Sequence, residues 1–134
     1  MGCLGGGQLG RMFVHAAQAM GYRVLVLDPD ATGPAAQAAD DVIVAVYDDM
    51  DAVAKFGQRV AAVTTEFENV PAATLEALAA VVPTRPGAIA VRIAQDRRKE
   101  KRFFSEHGLP VGSYAVIERA EDLRDAPATL FPGI

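Results

Sequence analysis

Three groups of residues have types and spacings that can do chemistry. The first is Gly5-Gly6-Gly7-Gln8-Leu9-Gly10, in which Gly5, Gly7 and Gly10 fit the G-x-G-x-x-G spacing of a loop between a strand and a helix. Glycine tolerates positive φ in a tight turn, and its missing Cβ lets a ligand or a strand approach the backbone. The helix that follows points free N–H groups and a partial positive charge back at the loop. The second group is Glu66-Phe67-Glu68-Asn69-Val70-Pro71. Two carboxylates and an amide can hold amine or hydroxyl groups by charge-assisted hydrogen bonds. The third is Arg97-Arg98-Lys99-Glu100-Lys101-Arg102, a basic run that can help neutralise phosphate.

Each group also has a plainer reading. The glycine loop can be a tight turn with close packing and no ligand. Glu66 and Glu68 can be solvated loop charges, Asn69 a helix cap, and the basic run a solvated helix face. A further reading of the loop is a nicotinamide-dinucleotide site. The pyrophosphate would sit on the helix N-terminus, and Asp28, near the ~20-residue offset of that motif, would take a ribose hydroxyl. Asp28 before Pro29 is equally a turn residue at a strand end. His15 and His107 stand far apart without companion ligands, so no metal site is expected. No Ser-His-Asp or Cys-His arrangement can be assembled, and G-x-x-x-x-G-K-[ST] is absent.

The elements that must position these groups alternate between strand and helix. Residues 1–5 read as a short first strand. Apolar residues at 9, 12, 13, 16, 17 and 20 have helical spacing, and Gly21 is a natural stop. Val24-Leu25-Val26-Leu27 is a continuous apolar run, as in a strand covered on both faces. These three make a βαβ unit, and Asp28-Pro29-Asp30 ends its second strand. Residues 31–40 suggest a loop with one helical turn, and 42–46 a third strand. A helix capped by Asp48 or Asp49 should run to about Phe56, and 60–65 is a fourth strand with Glu66 at its carboxyl end. Pro71 suits the first turn of a helix, and 83–85 form a short connection or strand. Helical pieces over 87–94 and 97–107 follow, with Asp96 as cap and His107-Gly108 as stop. Residues 111–117 are a strand candidate, 121–125 a weak helix, and Leu130–Ile134 the start of another apolar element.

Composition narrows the function classes. Of 134 residues, 51% are hydrophobic and 22% charged, which predicts a packed core rather than disorder. A net charge of −4 argues against a general nucleic-acid binder. No apolar run approaches the ~20 residues of a membrane span, no secretory signal is visible, and the single cysteine, Cys3, falls in a predicted buried strand. A cytoplasmic protein is expected, with no membrane partner.

In combination, Gly5–Met12, Val26–Asp30, Pro34–Asp40, Glu66–Pro71 and Ile93–Arg97 resemble the 5-(carboxyamino)imidazole ribonucleotide synthases, the ATP-grasp carboxylases of purine biosynthesis. The resemblance covers essentially the whole chain in order. It implies an α/β fold, a Rossmann-like parallel sheet (the pre-ATP-grasp domain) over residues 1–109, then the truncated start of an ATP-grasp domain over 110–134. It also implies ATP-dependent joining of bicarbonate to 5-aminoimidazole ribonucleotide, magnesium as cofactor, and a homodimer. By this resemblance Gln8, Leu9 and Glu66 contact the ribonucleotide and Arg97 contacts ATP, while the rest of the basic run stays solvated. Thr65 stands where the family usually has an aromatic residue, and Arg98 where an apolar one is common. The ATP-grasp lysines, nucleotide loop and magnesium carboxylates would lie past residue 134, so the chain is expected to be inactive alone and part of a longer enzyme. The formate-dependent glycinamide ribonucleotide transformylases share the architecture, but Gln8 and Glu66–Pro71 favour the carboxylases.

Overall fold

A computed structural model describes residues 1–125. Four parallel strands form one sheet in the order β3-β2-β1-β4. They are β1 (Gly2–Leu4), β2 (Leu25–Asp28), β3 (Asp41–Val44) and β4 (Val63–Thr65). Helix α1 (Gln8–Ala19) crosses from β1 to β2, α2 (Pro34–Ala38) from β2 to β3, and α3 (Met50–Gln58) from β3 back past β1 to β4. The chain therefore winds outward in one direction, then restarts on the other side of β1. That reversal puts the topological switch point between β1 and β4, where open parallel sheets leave a crevice at their carboxyl ends.

Alternation along the strands explains the layers, because successive side chains point to opposite faces. Cys3 and Val26 face one way and pack with Val14, Ala17 and Ala35, under α1 and α2. Leu4, Leu25 and Leu27 face the other way and pack with Val53, Phe56, Leu75 and Leu78, under α3 and α4 (Ala72–Ala79). Both faces are covered, as the unbroken apolar run of β2 requires. Val91, on α5 (Ala88–Ala94), extends the second cluster.

Most expected elements are present, with shifts that have local causes. Asp28 belongs to β2 rather than following it, since Ala45 N donates to its carbonyl as the β2–β3 ladder continues. β4 is shorter than residues 60–65, although Ala62 O still accepts from Gly2 N at 2.8 Å. Asp49, not Asp48, caps α3 by accepting from Asp51 N and Ala52 N. Pro71 occupies the cap position of α4 rather than its first turn. Thr84 pairs with Val63 as an isolated parallel bridge, which settles residues 83–85 as a connection.

Contacts divide the chain between Gln95 and Asp96, ahead of the boundary expected after residue 109. The second part begins with α6 (Arg97–Glu106), capped by Asp96 through Arg98 N, and α6 contains no buried residue. The strand expected over 111–117 does not form. A strand's N–H and C=O groups need a neighbouring strand, none pairs with these residues among those described, and Tyr114, Val116 and Ile117 are exposed. The weak helix is present as α7 (Asp122–Asp125). The element expected at Leu130–Ile134 lies outside the described residues.

Candidate functional site

The glycine loop leaves β1 at the switch point and is fixed by two carboxylates from neighbouring strand ends. Gly5 has φ +113, a conformation that side-chain-bearing residues avoid, and a Cβ there would overlap Glu66 Cγ. Gly7 N donates to Glu66 Oε1 at 3.0 Å and Gly10 N donates to Oε2 at 2.5 Å. Gly7 is the cap residue of α1 and has no capping side chain, and the first turn carries no acid. Glu66 supplies both from another strand. It satisfies two orphan donors and puts negative charge at the positive end of the helix.

Asp28 does the matching work on the other side of the loop. Its Oδ2 accepts from Gly6 N at 2.5 Å and from the Tyr47 hydroxyl at 2.5 Å, while Oδ1 accepts from Asp30 N at 2.8 Å. Gly6 O in turn accepts from Ala35 N at 2.8 Å, so Gly6 is held through both its N–H and its carbonyl. Asp28 is only 7% exposed, and three donors satisfy its carboxylate. Neither Asp28 nor Glu66 has a lysine or arginine partner among the described residues. Backbone amides and a phenol hold these charges instead.

The two carboxylates act on what lies beneath them. The Cys3 thiol is pushed up from 9.0 to about 12, chiefly by burial and further by the charges of Glu66 and Asp28. The Tyr47 phenol is raised above its ordinary value by burial, then by its bond to Asp28. Both groups are neutral, and Tyr47 is a standing donor.

Gln8 and Leu9, on the first turn of α1, are exposed, Leu9 at 62%. Glu66, half-buried, also borders a groove of about 350 Å³ lined by Thr65, Phe67, Glu68, Pro86 and Val91. The structure thus brings Gly5, Gly7, Gly10 and Glu66 together, with Gln8 and Leu9 beside them. Glu68 is exposed, and its carbonyl accepts from Gln95 Nε2 at 2.6 Å. Arg97, in the second part of the chain, has a 78% exposed side chain and pairs with Glu100. Arg98 pairs with Asp96 and Glu118 while its side chain stays 56% exposed. His15 accepts from Arg11 Nε at 3.3 Å, and His107 stacks on Phe103. Among the described residues no three His, Cys, Asp or Glu side chains converge as metal ligands. The described residues therefore offer no donor set for the magnesium that the resemblance implies.

This geometry does not favour the dinucleotide reading. Pyrophosphate would need the N–H groups of Gly7 and Gly10, and Glu66 occupies them. Asp28 is buried beneath the loop and cannot meet a ribose hydroxyl. Tyr47 is the residue that the sequence reading missed. Its one signal was its place just past β3, on the same rim as Glu66 and the loop.

The chain is 42% identical over 123 residues to N5-carboxyaminoimidazole ribonucleotide synthase of Brucella melitensis, covering 92% of this chain and 34% of that one. A crystal structure of an N5-carboxyaminoimidazole ribonucleotide synthetase in complex with ADP superposes with a TM-score of 0.89 at 40% identity, over 98% of this chain and 35% of that one. The Aspergillus clavatus synthase in complex with ADP and 5-aminoimidazole ribonucleotide gives a TM-score of 0.82 at 32% identity, over 98% and 36%. The chain thus spans about a third of the length of these relatives. Residues 1–95, the part that carries the sheet and the glycine loop, match the ribonucleotide synthetase preATP-grasp domain, and the chain belongs to that family.

Proposed function

We propose that this chain supplies part of the ribonucleotide site of an enzyme that carboxylates 5-aminoimidazole ribonucleotide with bicarbonate and ATP. In that reaction a bicarbonate oxygen takes the γ-phosphoryl group of ATP, giving carboxyphosphate and ADP. The exocyclic amine then attacks the carboxyl carbon, the carbon–oxygen bond to phosphate breaks, and the nitrogen loses a proton. The chain's own residues bind and orient. Glu66 is held by the loop amides with lone pairs still free, so it can accept from a ribose hydroxyl or the amine. Gln8 offers a donor and an acceptor from the first turn of α1, and Leu9 gives an apolar contact beside it. Arg97 contacts ATP, and residues from Asp96 onward lead into the ATP-grasp portion. The enzyme is a homodimer.

The observation that carries this reading is the Glu66 carboxylate seated on Gly7 N and Gly10 N at the β1–β4 switch point. It gives the loop an acid where a dinucleotide fold needs a vacant anion seat, and an acid suits a ligand presenting hydroxyls and an amine. Calorimetry and turnover with the longer protein that carries this chain test it. ATP hydrolysis should depend on 5-aminoimidazole ribonucleotide, and NAD(H) should not bind. Tight NAD(H) binding without response to the ribonucleotide would overturn the reading.

A further inference from the structure

We infer that Tyr47 and Asp28 form a single positioning pair that sets the glycine loop and Glu66 for the ribonucleotide, without either residue touching it. This rests on the function proposed above. Asp28 lies under the loop and fixes the Gly6 peptide through its N–H. A buried carboxylate without a cationic partner is stable only while its lone pairs are filled. Two of its donors are backbone N–H groups of Gly6 and Asp30, and the third is the Tyr47 hydroxyl. Because burial and Asp28 keep that phenol protonated, it donates at any neutral pH.

Tyr47 also reaches the other holder of the loop. Its ring meets Phe67 edge-on, with centroids 5.5 Å apart and planes at 61°. Phe67 directly follows Glu66, and Thr65 Oγ1 donates to Phe67 O at 2.9 Å, which closes that turn. The Tyr47 carbonyl accepts from the buried Thr74 hydroxyl at 2.6 Å, tying the residue to α4. One side chain therefore spans from the carboxylate that fixes Gly6 to the turn that presents Glu66. The hydroxyl orients Asp28, which holds Gly6 N, and the ring orients the turn of Glu66, which holds Gly7 N and Gly10 N.

Two variants separate these contributions. Tyr47→Phe keeps the ring against Phe67 and removes only the donor to Asp28, whereas Tyr47→Leu removes both. In the chain itself, proton–nitrogen NMR should show the Gly6 amide shifting in Tyr47→Phe, with Gly7 and Gly10 moving as well in Tyr47→Leu. In the longer protein, Tyr47→Phe should raise KM for 5-aminoimidazole ribonucleotide about threefold to tenfold with kcat within about twofold, the scale of one lost hydrogen bond to a charge. Tyr47→Leu should raise it further. A purely structural role would lower the unfolding midpoint and leave KM unchanged, and that result, or an unmoved Gly6 amide, would overturn the inference. If the wild-type protein shows no turnover of the ribonucleotide, the proposed function fails, and the amide shifts alone then decide whether the pair sets the loop.

Discussion

The two ends of this parallel sheet carry the same residue types and use them differently. At the amino ends of the strands, Asp41 pairs with Arg59 and Asp40 stands near Arg23, with all four side chains solvated or partly so. At the carboxyl ends, Asp28 and Glu66 have no cationic partner among the described residues and accept from the glycine loop instead. Each end opens a groove, about 380 Å³ at the amino end and about 350 Å³ beside Glu66. Size therefore does not tell the ends apart. The partner of the acid tells Asp41 from Glu66, since Asp41 shares its charge with the Arg59 guanidinium, whereas Glu66 is braced by amides alone and keeps spare lone pairs.

The sharpest way to break the contrast is Glu66→Ala. It removes a charge-bearing acceptor, so kcat/KM for the ribonucleotide in the longer protein should fall by about tenfold to a hundredfold, mainly through KM. An unchanged KM would reduce Glu66 to a cap for α1. Gly10→Ala comes next. Its Cβ would lie 2.7 Å from Gly5 O and 3.1 Å from Ala35 Cβ, so backbone must move. Unfolding in urea should show a loss of about 1–3 kcal/mol.

Acid and alkali sharpen the contrast further, because the two ends titrate in opposite senses. Folding raises Cys3 from 9.0 to about 12, so its contribution is complete below about pH 9 and is lost as pH climbs toward 12. Tyr47 adds a loss of the same sign above its ordinary value. Urea midpoints at about pH 8 and about pH 10.5 should diverge, and Cys3→Ala should reduce the divergence. At the other end, the amide of Val24 holds Asp40 low and Arg59 holds Asp41 low. Their contributions are present above the ordinary carboxylate value and are lost as pH falls through the lowered one. The smallest effect belongs to Arg59→Ala, which should leave KM unchanged and shift the urea midpoint barely measurably, as expected of an exposed ion pair.

The parallel α/β architecture was legible because its signals are local. The alternation of β2 with the 3.6-residue period of α1, and the turn residues between them, need no knowledge of distant contacts. Gly5, Gly7, Gly10 and Glu66 were legible as candidates, but not how they meet. The sequence suggested a loop waiting for an anion, and the fold fills that seat with its own acid. Asp28 read as a ligand contact or a turn residue, and only burial shows it as a brace. Tyr47 carried no motif, and its importance comes from register across the rim. The strand expected over 111–117 had suitable residues but no partner among those described, and propensity alone does not pair a strand.

β1 is three residues long, is flanked on both sides, and comes first in the chain. Its pairing with β2 closes early, whereas Glu66 is 59 residues from the amide that it caps. Closing so large an interval costs entropy before any bond repays it. A ribosome therefore releases the central ribbon long before its second neighbour exists, and the acid can only be threaded onto the glycines once most of this sheet has been synthesised. Until β4 arrives, the amides of Gly7 and Gly10 lack the carboxylate that caps them in the finished fold.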